Sequence, residues 1–492
     1  MTRLARIALA ALLAAAPGGA AAEGTTGPVP DGVVGTWSGM LAGRIRFVLH
    51  VARDSTGTLR ATADSPDQGA LGLRVDAIAL RGDSLLFDMS GVGGRYAGRV
   101  GPERNEIDGV WRQAGAEMPL VLLPQAPGGP GIESARPQEP KPPYPYDAIE
   151  VSYPNAEASG VTLAGTLTVP REPGPFPCAV LITGSGPEDR DETVFGHKPF
   201  LVLADHLTRS GIAVLRSDDR GVGGSTGSAR LATSEDFAGD VRAAVRFLRT
   251  RKEVDPARIG LIGHSEGGMI APLVAASDPR VAFIVLLAGP GVPGDSILIT
   301  QSLLVSRSAG MSDSMARDAQ AAQRELMRAA RTAPDSASLA ATMRAVLARQ
   351  LDRLPPEERR RAGDLDALAG AQTALLRTPW MRFFLSHDPR PVLARVRCPV
   401  LALNGEKDVQ VSASQNLPEI RAALERGGNR DVTVKALPDL NHLFQTAGTG
   451  SVGEYAAIQE TFAPGALEAI SVWIGARMGR RQGPPPGPTA GE

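Results

Sequence analysis

From residue 147 onward, short apolar runs alternate with segments of helical periodicity, and this alternation restricts the fold more than any other feature of the chain. The runs are CAVLITG, GIAVLRSD, RIGLIG, AFIVLLAG and PVLALNG. Continuous apolar runs of this length are typical of parallel strands buried on both faces. Between them, PFLVLADHLTRS and EDFAGDVRAAVRFLRT carry apolar residues at helical spacing. The pattern predicts an α/β domain over 147–478 with a doubly wound, mostly parallel sheet.

The chain before this domain has a different pattern. Residues 24–125 contain short alternating segments such as RIRFVLHVA, SLLFDMS and RYAGRV, with glycines between them. Short strands at regular spacing predict a small all-β barrel or sandwich. Residues 126–146 are rich in Pro and Gly and predict an extended linker.

Two further segments differ from the strand and helix alternation. From about 295 to 385 the chain is rich in Ala, Arg, Met and Leu and shows no buried strand. Inserted between two strands of the sheet, it predicts a helical cap above them. The tail over 479–492, GRRQGPPPGPTAGE, has the composition of a disordered segment.

The N-terminus has the layout of a secretory signal peptide over 1–22. Arg3 and Arg6 precede an apolar run over 7–16, and Ala20 and Ala22 supply an A-x-A cleavage site. The run is too short to span a membrane. We therefore expect an exported protein, periplasmic or secreted, with no membrane span.

Composition excludes some classes of partner. The formal net charge is −1 and aromatic residues make up 4% of the chain. Neither a polyanion-binding surface nor a base-stacking platform is expected, so we predict no nucleic-acid partner. The two cysteines, Cys178 and Cys398, are too few for a disulfide scaffold and lack nearby histidines. We expect free, buried thiols and no metal site.

The stretch RIGLIGHSEGGMIAP places a serine between glycines where a strand gives way to a helix. Gly263, Ser265 and Gly267 match the pattern G-x-S-x-G. Such a serine occupies a strained turn that exposes its Oγ above the sheet, and larger residues at the two glycines would clash with neighbouring backbone. The pattern alone also fits a structural turn, so it needs catalytic partners.

A base must follow the serine in the chain, after an acid. Only His387 and His442 lie downstream of the turn, and His387 precedes the last of the five apolar runs, where the acid is expected. His442, in LPDLNHLFQT, is therefore the predicted base. The other histidines are His50, His197, His206 and His264, the last adjoining the serine and expected to point elsewhere on the turn.

The acid is expected just past the carboxyl end of a strand, where catalytic groups gather in open α/β sheets. Asp408, in LALNGEKD, meets this condition. Asp439 lies three positions before His442 and is better suited to shaping that loop. Glu406 remains a local alternative.

Two loops are expected to surround the reacting carbonyl. The backbone N–H of Glu266 and that of Ser185, in TGSGPEDRDE, are the predicted oxyanion donors. The charges of EDRDE and of DDR in SDDRGVGGSTG are expected to pair with each other rather than to bind a metal.

Together these motifs resemble the α/β-hydrolase superfamily, and more closely bacterial esterases with a β-rich N-terminal domain, grouped near the serine aminopeptidase-like hydrolases. The matching elements GSGPEDRDE, SDDRGVGGSTG, GHSEGG, CPVLALNGEKDVQV and LNHLFQ follow the expected order from about 180 to 445. The resemblance implies a helical cap, no cofactor, and hydrolysis of carboxylic esters with short acyl chains. It carries the catalytic roles over to Ser265, Asp408 and His442.

The sequence thus predicts a secreted serine carboxylesterase that acts on a small-molecule ester. The same three groups attack amide and thioester carbonyls, so a serine peptidase, an amidase or a thioesterase of the same fold stays open. A non-enzymatic binding protein is the third hypothesis, and the intact set of Ser, Asp and His disfavours it.

Overall fold

The computed structural model describes residues 33–41, 45–54, 57–65, 70–89, 92–101, 106–113, 116–124, 136–353, 359 and 364–479. The predicted signal peptide over 1–22, the predicted linker as far as residue 135, and the predicted tail from residue 480 lie outside the described residues.

The N-terminal part of the chain forms a small all-β domain, as predicted. Its described residues build one antiparallel sheet in the order β4-β3-β2-β1-β9-β8-β7-β6-β5, and β5 contacts β3, so the sheet curls toward its own first edge. Inward-facing aromatic rings such as Phe47, Phe87 and Trp111 fill the interior. The strands are β1 Gly35–Leu41, β2 Ile45–Arg53, β3 Leu59–Ser65, β4 Ala70–Arg74, β5 Ala77–Arg81, β6 Ser84–Met89, β7 Gly94–Val100, β8 Ile107–Gln113 and β9 Ala116–Pro124.

The second sheet confirms the predicted doubly wound fold. Its order within the described residues is β10-β11-β13-β12-β14-β15-β16-β17, with β10 and β11 antiparallel at one edge and parallel pairing from β13 onward. The strands are β10 Asp147–Pro154, β11 Thr162–Val169, β12 Phe176–Ile182, β13 Ala213–Ser217, β14 Val254–His264, β15 Ile284–Leu287, β16 Val400–Gly405 and β17 Val432–Leu437.

Burial on both faces explains the continuous apolar runs. Along β12, Cys178 and Val180 belong to the core on one side of the sheet, whereas Ala179 and Leu181 belong to the core on the other. Successive side chains of a strand point to opposite faces, so a strand covered on both sides needs apolar residues throughout. Both cysteines are free, as predicted, although Cys398 is only partly buried.

Helices cover both faces of this sheet, and a group of them forms the predicted cap. The cap, α4 to α8, is inserted between β15 and β16 and has its own core around Leu326, Leu339 and Met343. No helix in the described part of the chain combines the length and apolarity needed to cross a membrane. The helices are α1 Pro199–Arg209, α2 Ser234–Leu248, α3 Gly267–Ser277, α4 Gly294–Ser308, α5 Asp313–Thr332, α6 Ser336–Leu351, α7 Leu365–Leu376, α8 Pro379–Ser386, α9 Arg390–Leu393, α10 Ala413–Arg426, a 3₁₀ helix Val452–Ala457 and α11 Pro464–Met478.

A substitution at Gly260 can test how closely the side chains of the central strands pack. A Cβ at this position on β14 would lie 2.4 Å from the ring of Phe283, which is fully buried. We expect Gly260→Ala to lower the free energy of unfolding by about 1–3 kcal/mol, because the ring must leave its packed position. Urea unfolding curves measure the change.

Gly370 provides the matched control. It is exposed on α7, and a Cβ there would meet no atom within 4 Å. Gly370→Ala should raise the free energy of unfolding by about 0.4–1 kcal/mol. Equal stability of the two alanine variants would contradict the close packing of Gly260.

Candidate active site

Ser265 lies at the sharp turn between β14 and α3. Its φ is +51°, a left-handed conformation that is uncommon for a residue with a side chain. Its N–H donates to the carbonyl of Leu287 on the neighbouring strand at 2.8 Å, which holds the turn in place. A strained residue fixed by its surroundings is typical of functional sites.

The two flanking glycines permit this turn for a steric reason. A Cβ on Gly263 would lie 2.0 Å from the carbonyl oxygen of Gly267, and a Cβ on Gly267 would lie 2.2 Å from the carbonyl oxygen of Ile182. Both distances are far below van der Waals contact, and the atoms met belong to the backbone. A larger residue at Gly267 would push α3 away from β12, and one at Gly263 would push the start of α3 away from β14.

The structure brings His442 and Asp408 together. The Nδ1 of His442 lies 2.7 Å from Oδ2 of Asp408, and both side chains are buried. The other oxygen, Oδ1, accepts the N–H groups of Gln410 and Val411, each at 2.8 Å. These bonds fix the direction of the carboxyl group. With Nδ1 engaged, Nε2 of His442 is left to exchange a proton with a substrate or a nucleophile.

The alternative acids lie elsewhere. Asp439 has a φ of +60° and pairs with Nζ of Lys407 at 2.7 Å, which fits the predicted role in shaping the loop. Glu406 is exposed beside the strand end. The structure therefore places Asp408, and neither alternative, against the imidazole of His442; the catalytic assignment of Ser265, Asp408 and His442 stays a prediction.

The predicted oxyanion donors lie in loops on either side of the turn. Within the described residues, the backbone N–H groups of Ser185 and Glu266 donate to no protein acceptor, which leaves them available. The N–H of Gly184, in contrast, is already engaged, because it donates to Glu188 Oε2 at 3.1 Å and to Glu192 Oε1 at 3.0 Å. The roles of Ser185 and Glu266 stay predictions.

The side chain of Glu266 makes a contact that the sequence did not indicate. Its Oε1 accepts the hydroxyl of Ser234 at 2.6 Å and the indole N–H of Trp380 at 2.8 Å. Burial raises the pKa of Glu266, although these hydrogen bonds act in the opposite direction. Trp380 lies in α8, so a cap residue is bonded to the residue that follows Ser265.

The prediction that the charges of the EDRDE and DDR loops pair with each other is only partly right. Arg190 pairs with Asp218 of the other loop at 2.8 Å, but Arg220 pairs with Asp240 on α2 at 2.7 Å, and Asp191 pairs with Arg216 on β13. Glu192 lies against His264. The carboxyl groups of Glu188 and Asp219 turn inward, and each accepts a backbone N–H group.

These inward carboxyl groups have altered acidity. Burial and the charges of Glu192 and Asp219 hold the pKa of Glu188 well above its usual range. Burial also raises the pKa of Asp219 to about 7. Among the described residues, no group of three or more His, Cys, Asp or Glu side chains has an arrangement that could hold a metal ion.

His264 is the site residue whose position differs most from expectation. It was expected to point elsewhere on the turn, yet its ring centroid lies 4.8 Å from that of His442. The other histidines make separate contacts: His50 with Asp64, His197 with Thr461 and Gln445, His206 with Ser471, and His387 with the ring of Phe383.

The chain is similar in sequence to known hydrolases. A family model described as serine aminopeptidase, S33, matches residues 198–446. Esterase EstD of Thermotoga maritima is 27% identical over 283 residues, which cover 57% of this chain and 58% of EstD. Thiohydrolase apmlB of Arthrinium phaeospermum is 39% identical over 89 residues, covering 17% and 28% of the two chains. The chain thus spans less than two thirds of these relatives.

The chain was also compared with solved structures. The Pyrococcus furiosus esterase Pf2001 aligns with 68% of this chain and 92% of its own, at 15% identity and a TM-score of 0.39.

Asp219 makes stability depend on pH. Its folded pKa of about 7 exceeds the ordinary 3.8, so the folded chain is most favoured while the group is protonated. Stability should fall by about 3–4 kcal/mol as the pH rises from about 4 to about 7. Asp219→Asn should flatten this slope, because an amide can accept the N–H of Glu188 and donate to Thr183 Oγ1, the two present partners.

The control is the same substitution one residue earlier. Burial acts to raise the pKa of Asp218, but hydrogen bonds from Arg190 and Gly224 outweigh it and lower the pKa. The sign is therefore opposite, and Asp218→Asn should lose more stability at neutral pH than below pH 4. Urea unfolding across the pH range measures both variants, and an unchanged slope in Asp219→Asn would contradict the prediction.

Proposed function

This chain belongs to the serine aminopeptidase S33 family of α/β hydrolases, and from that membership we propose that it is a secreted serine carboxylesterase that hydrolyses short-chain esters through an acyl-enzyme. The observation that carries the proposal is the buried contact of 2.7 Å between His442 and Asp408, in a chain that places Ser265 on a strained turn. The esterase EstD supports the choice of bond, because it is a relative named for that activity.

The proposed reaction follows from the positions of these groups. Ser265 Oγ attacks the ester carbonyl while Nε2 of His442 takes its proton. Asp408 keeps the proton of His442 on Nδ1 and stabilises the imidazolium that forms. The N–H groups of Ser185 and Glu266 bind the oxyanion, each worth about 3–4 kcal/mol in the transition state. His442 then protonates the leaving alcohol, and water releases the acid by the same steps.

The alternative is a serine peptidase or amidase acting on small peptides. An aminopeptidase needs an acidic group that is free to bind the substrate's α-amino group. Glu266 is 2% exposed and its Oε1 accepts from Ser234 and Trp380, although its Oε2 has no hydrogen-bond partner among the described residues. Glu192 is also 2% exposed and is bonded to Gly184 and His264. The burial of both acids favours the esterase.

The cap supports the proposed preference for short acyl groups. Trp380 and Phe384 stack with ring centroids 5.5 Å apart, and Trp380 bonds the side chain of Glu266, the residue next to the proposed nucleophile. Two large rings near that residue would limit the space for a long acyl chain. Export is supported by the charged, apolar and A-x-A parts of 1–22.

Ester hydrolysis by the protein and by Ser265→Ala tests the proposal. We expect turnover of p-nitrophenyl acetate and butyrate, less of the palmitate, and no cleavage of an aminoacyl nitroanilide. Ser265→Ala should abolish turnover, and Asp408→Asn should lower kcat by about 10⁴-fold, because the wrong tautomer of His442 is then favoured.

Ser277→Ala is the matched control, since Ser277 lies at the other end of α3, where its hydroxyl donates to the carbonyl of Val274. It should keep full activity. Ester turnover that survives in Ser265→Ala would contradict the assignment of Ser265 as the nucleophile. Preferred cleavage of the nitroanilide would favour the peptidase over the esterase.

A further inference from the structure

His264 has an acceptor at each of its two ring nitrogens. Its Nδ1 lies 2.8 Å from Oε1 of Glu192, and its Nε2 lies 3.0 Å from the backbone carbonyl oxygen of His442. Both His264 and Glu192 are buried, with 6% and 2% of their surfaces exposed. Solvent water therefore contributes little to the hydrogen bonding of either side chain.

These contacts determine the protonation of His264. A neutral imidazole carries one N–H, whereas a carbonyl and an ionised carboxylate can only accept. Glu192 Oε1 also accepts the N–H of Gly184 at 3.0 Å. Burial acts to lower the pKa of His264, but the charge and hydrogen bond of Glu192 outweigh it and the pKa is raised. Only the imidazolium form of His264 can donate to both oxygen atoms at once.

His264 and Glu192 lie between the predicted oxyanion loop and the predicted base loop, which must act on the same substrate carbonyl. Gly184 belongs to the loop that holds Ser185, and a Cβ on Gly184 would lie 3.5 Å from Glu192 Oε1 and 3.6 Å from Cβ of Ser265. On the other side, His264 binds the main chain of His442. Glu192 and His264 therefore connect the oxyanion loop, the nucleophile turn and the base loop in one buried chain of hydrogen bonds.

We propose that His264 is a positioning residue: as a cation paired with Glu192, it fixes the backbone of His442 and the N–H of Gly184 relative to Ser265. Asp408 holds the ring of His442 at Nδ1, and His264 holds its main chain, so the direction of Nε2 is set at two points. The inference rests on the proposed function, because it assigns a role toward the predicted base and oxyanion loop.

Nitrogen NMR of the protein with ¹⁵N-labelled histidine tests the charge without using activity. The spectrum of His264→Gln identifies the His264 signals by their loss. We expect both ring nitrogens of His264 to be protonated at neutral pH, and the signal to change to a neutral tautomer in Glu192→Gln. A neutral His264 in the wild-type protein would overturn the proposal.

Kinetics of His264→Gln and Glu192→Gln test the positioning role. A glutamine can replace one of the two donors but not both, so kcat for p-nitrophenyl butyrate should fall about 10-fold to 100-fold. KM should change by less than about twofold, because neither residue is placed at the substrate. The melting temperature is measured alongside, and if His264→Gln does not fold, Glu192→Gln, which keeps the size of the side chain, decides.

His206→Gln is the matched control. His206 is partly buried in the same domain and bonds Ser471 at 2.9 Å, away from the site. Its kcat should equal that of the wild type. Wild-type kcat in a folded His264→Gln, with Ser265→Ala inactive, would refute the positioning role while leaving the esterase in place. A wild-type protein without ester turnover would refute the esterase, and the NMR measurement would still decide the charge.

Discussion

The close approach of α3 to β12 is the constraint on which the site depends. Only a residue without a side chain fits where Gly267 meets the carbonyl of Ile182. That contact sets the angle at which the chain leaves β14, and thereby raises Ser265 above the sheet. It also brings the start of α3 next to the loop that follows β12. The positions of the candidate nucleophile, Ser265, and of the two candidate oxyanion donors, Ser185 and Glu266, therefore depend on the same close contact.

Around this turn, similar carboxyl groups have different surroundings. Asp408 accepts two N–H groups and lies against the imidazole of His442. Glu192 accepts the N–H of Gly184 and lies against His264. Desolvation raises the pKa values of Glu188 and Asp219, and the charges of neighbouring acids raise that of Glu188 further. The same type of side chain therefore serves as a partner of histidine at two places and as a desolvated acid at two others.

The fold was largely predictable because its signals are local. Each buried strand of the second sheet is a continuous apolar run, and the order of Ser, acid and His along the chain pointed to Ser265 and His442 and favoured Asp408 over Asp439 and Glu406. The contacts of His264 and Glu266 were not predictable, since their partners Glu192 and Trp380 lie 72 and 114 residues away. The hydrophobic periodicity of a sequence does not indicate contacts between residues that lie so far apart in the chain. The prediction for the EDRDE and DDR charges was only partly right for the same reason. Composition shows how many acids these loops contain, but it does not show which of them face the interior.

The bond between Trp380 and Glu266 has a consequence for how such proteins diversify. Caps are the variable part of a hydrolase, and exchanging one is an obvious route to a new acyl preference. Here the cap also supplies an N–H donor to a buried carboxylate beside the nucleophile. A transplanted cap that lacks this donor would leave Glu266 with one partner fewer in a setting where water cannot replace it. An exchange of the cap therefore has to keep a donor at Trp380 or change Glu266 at the same time.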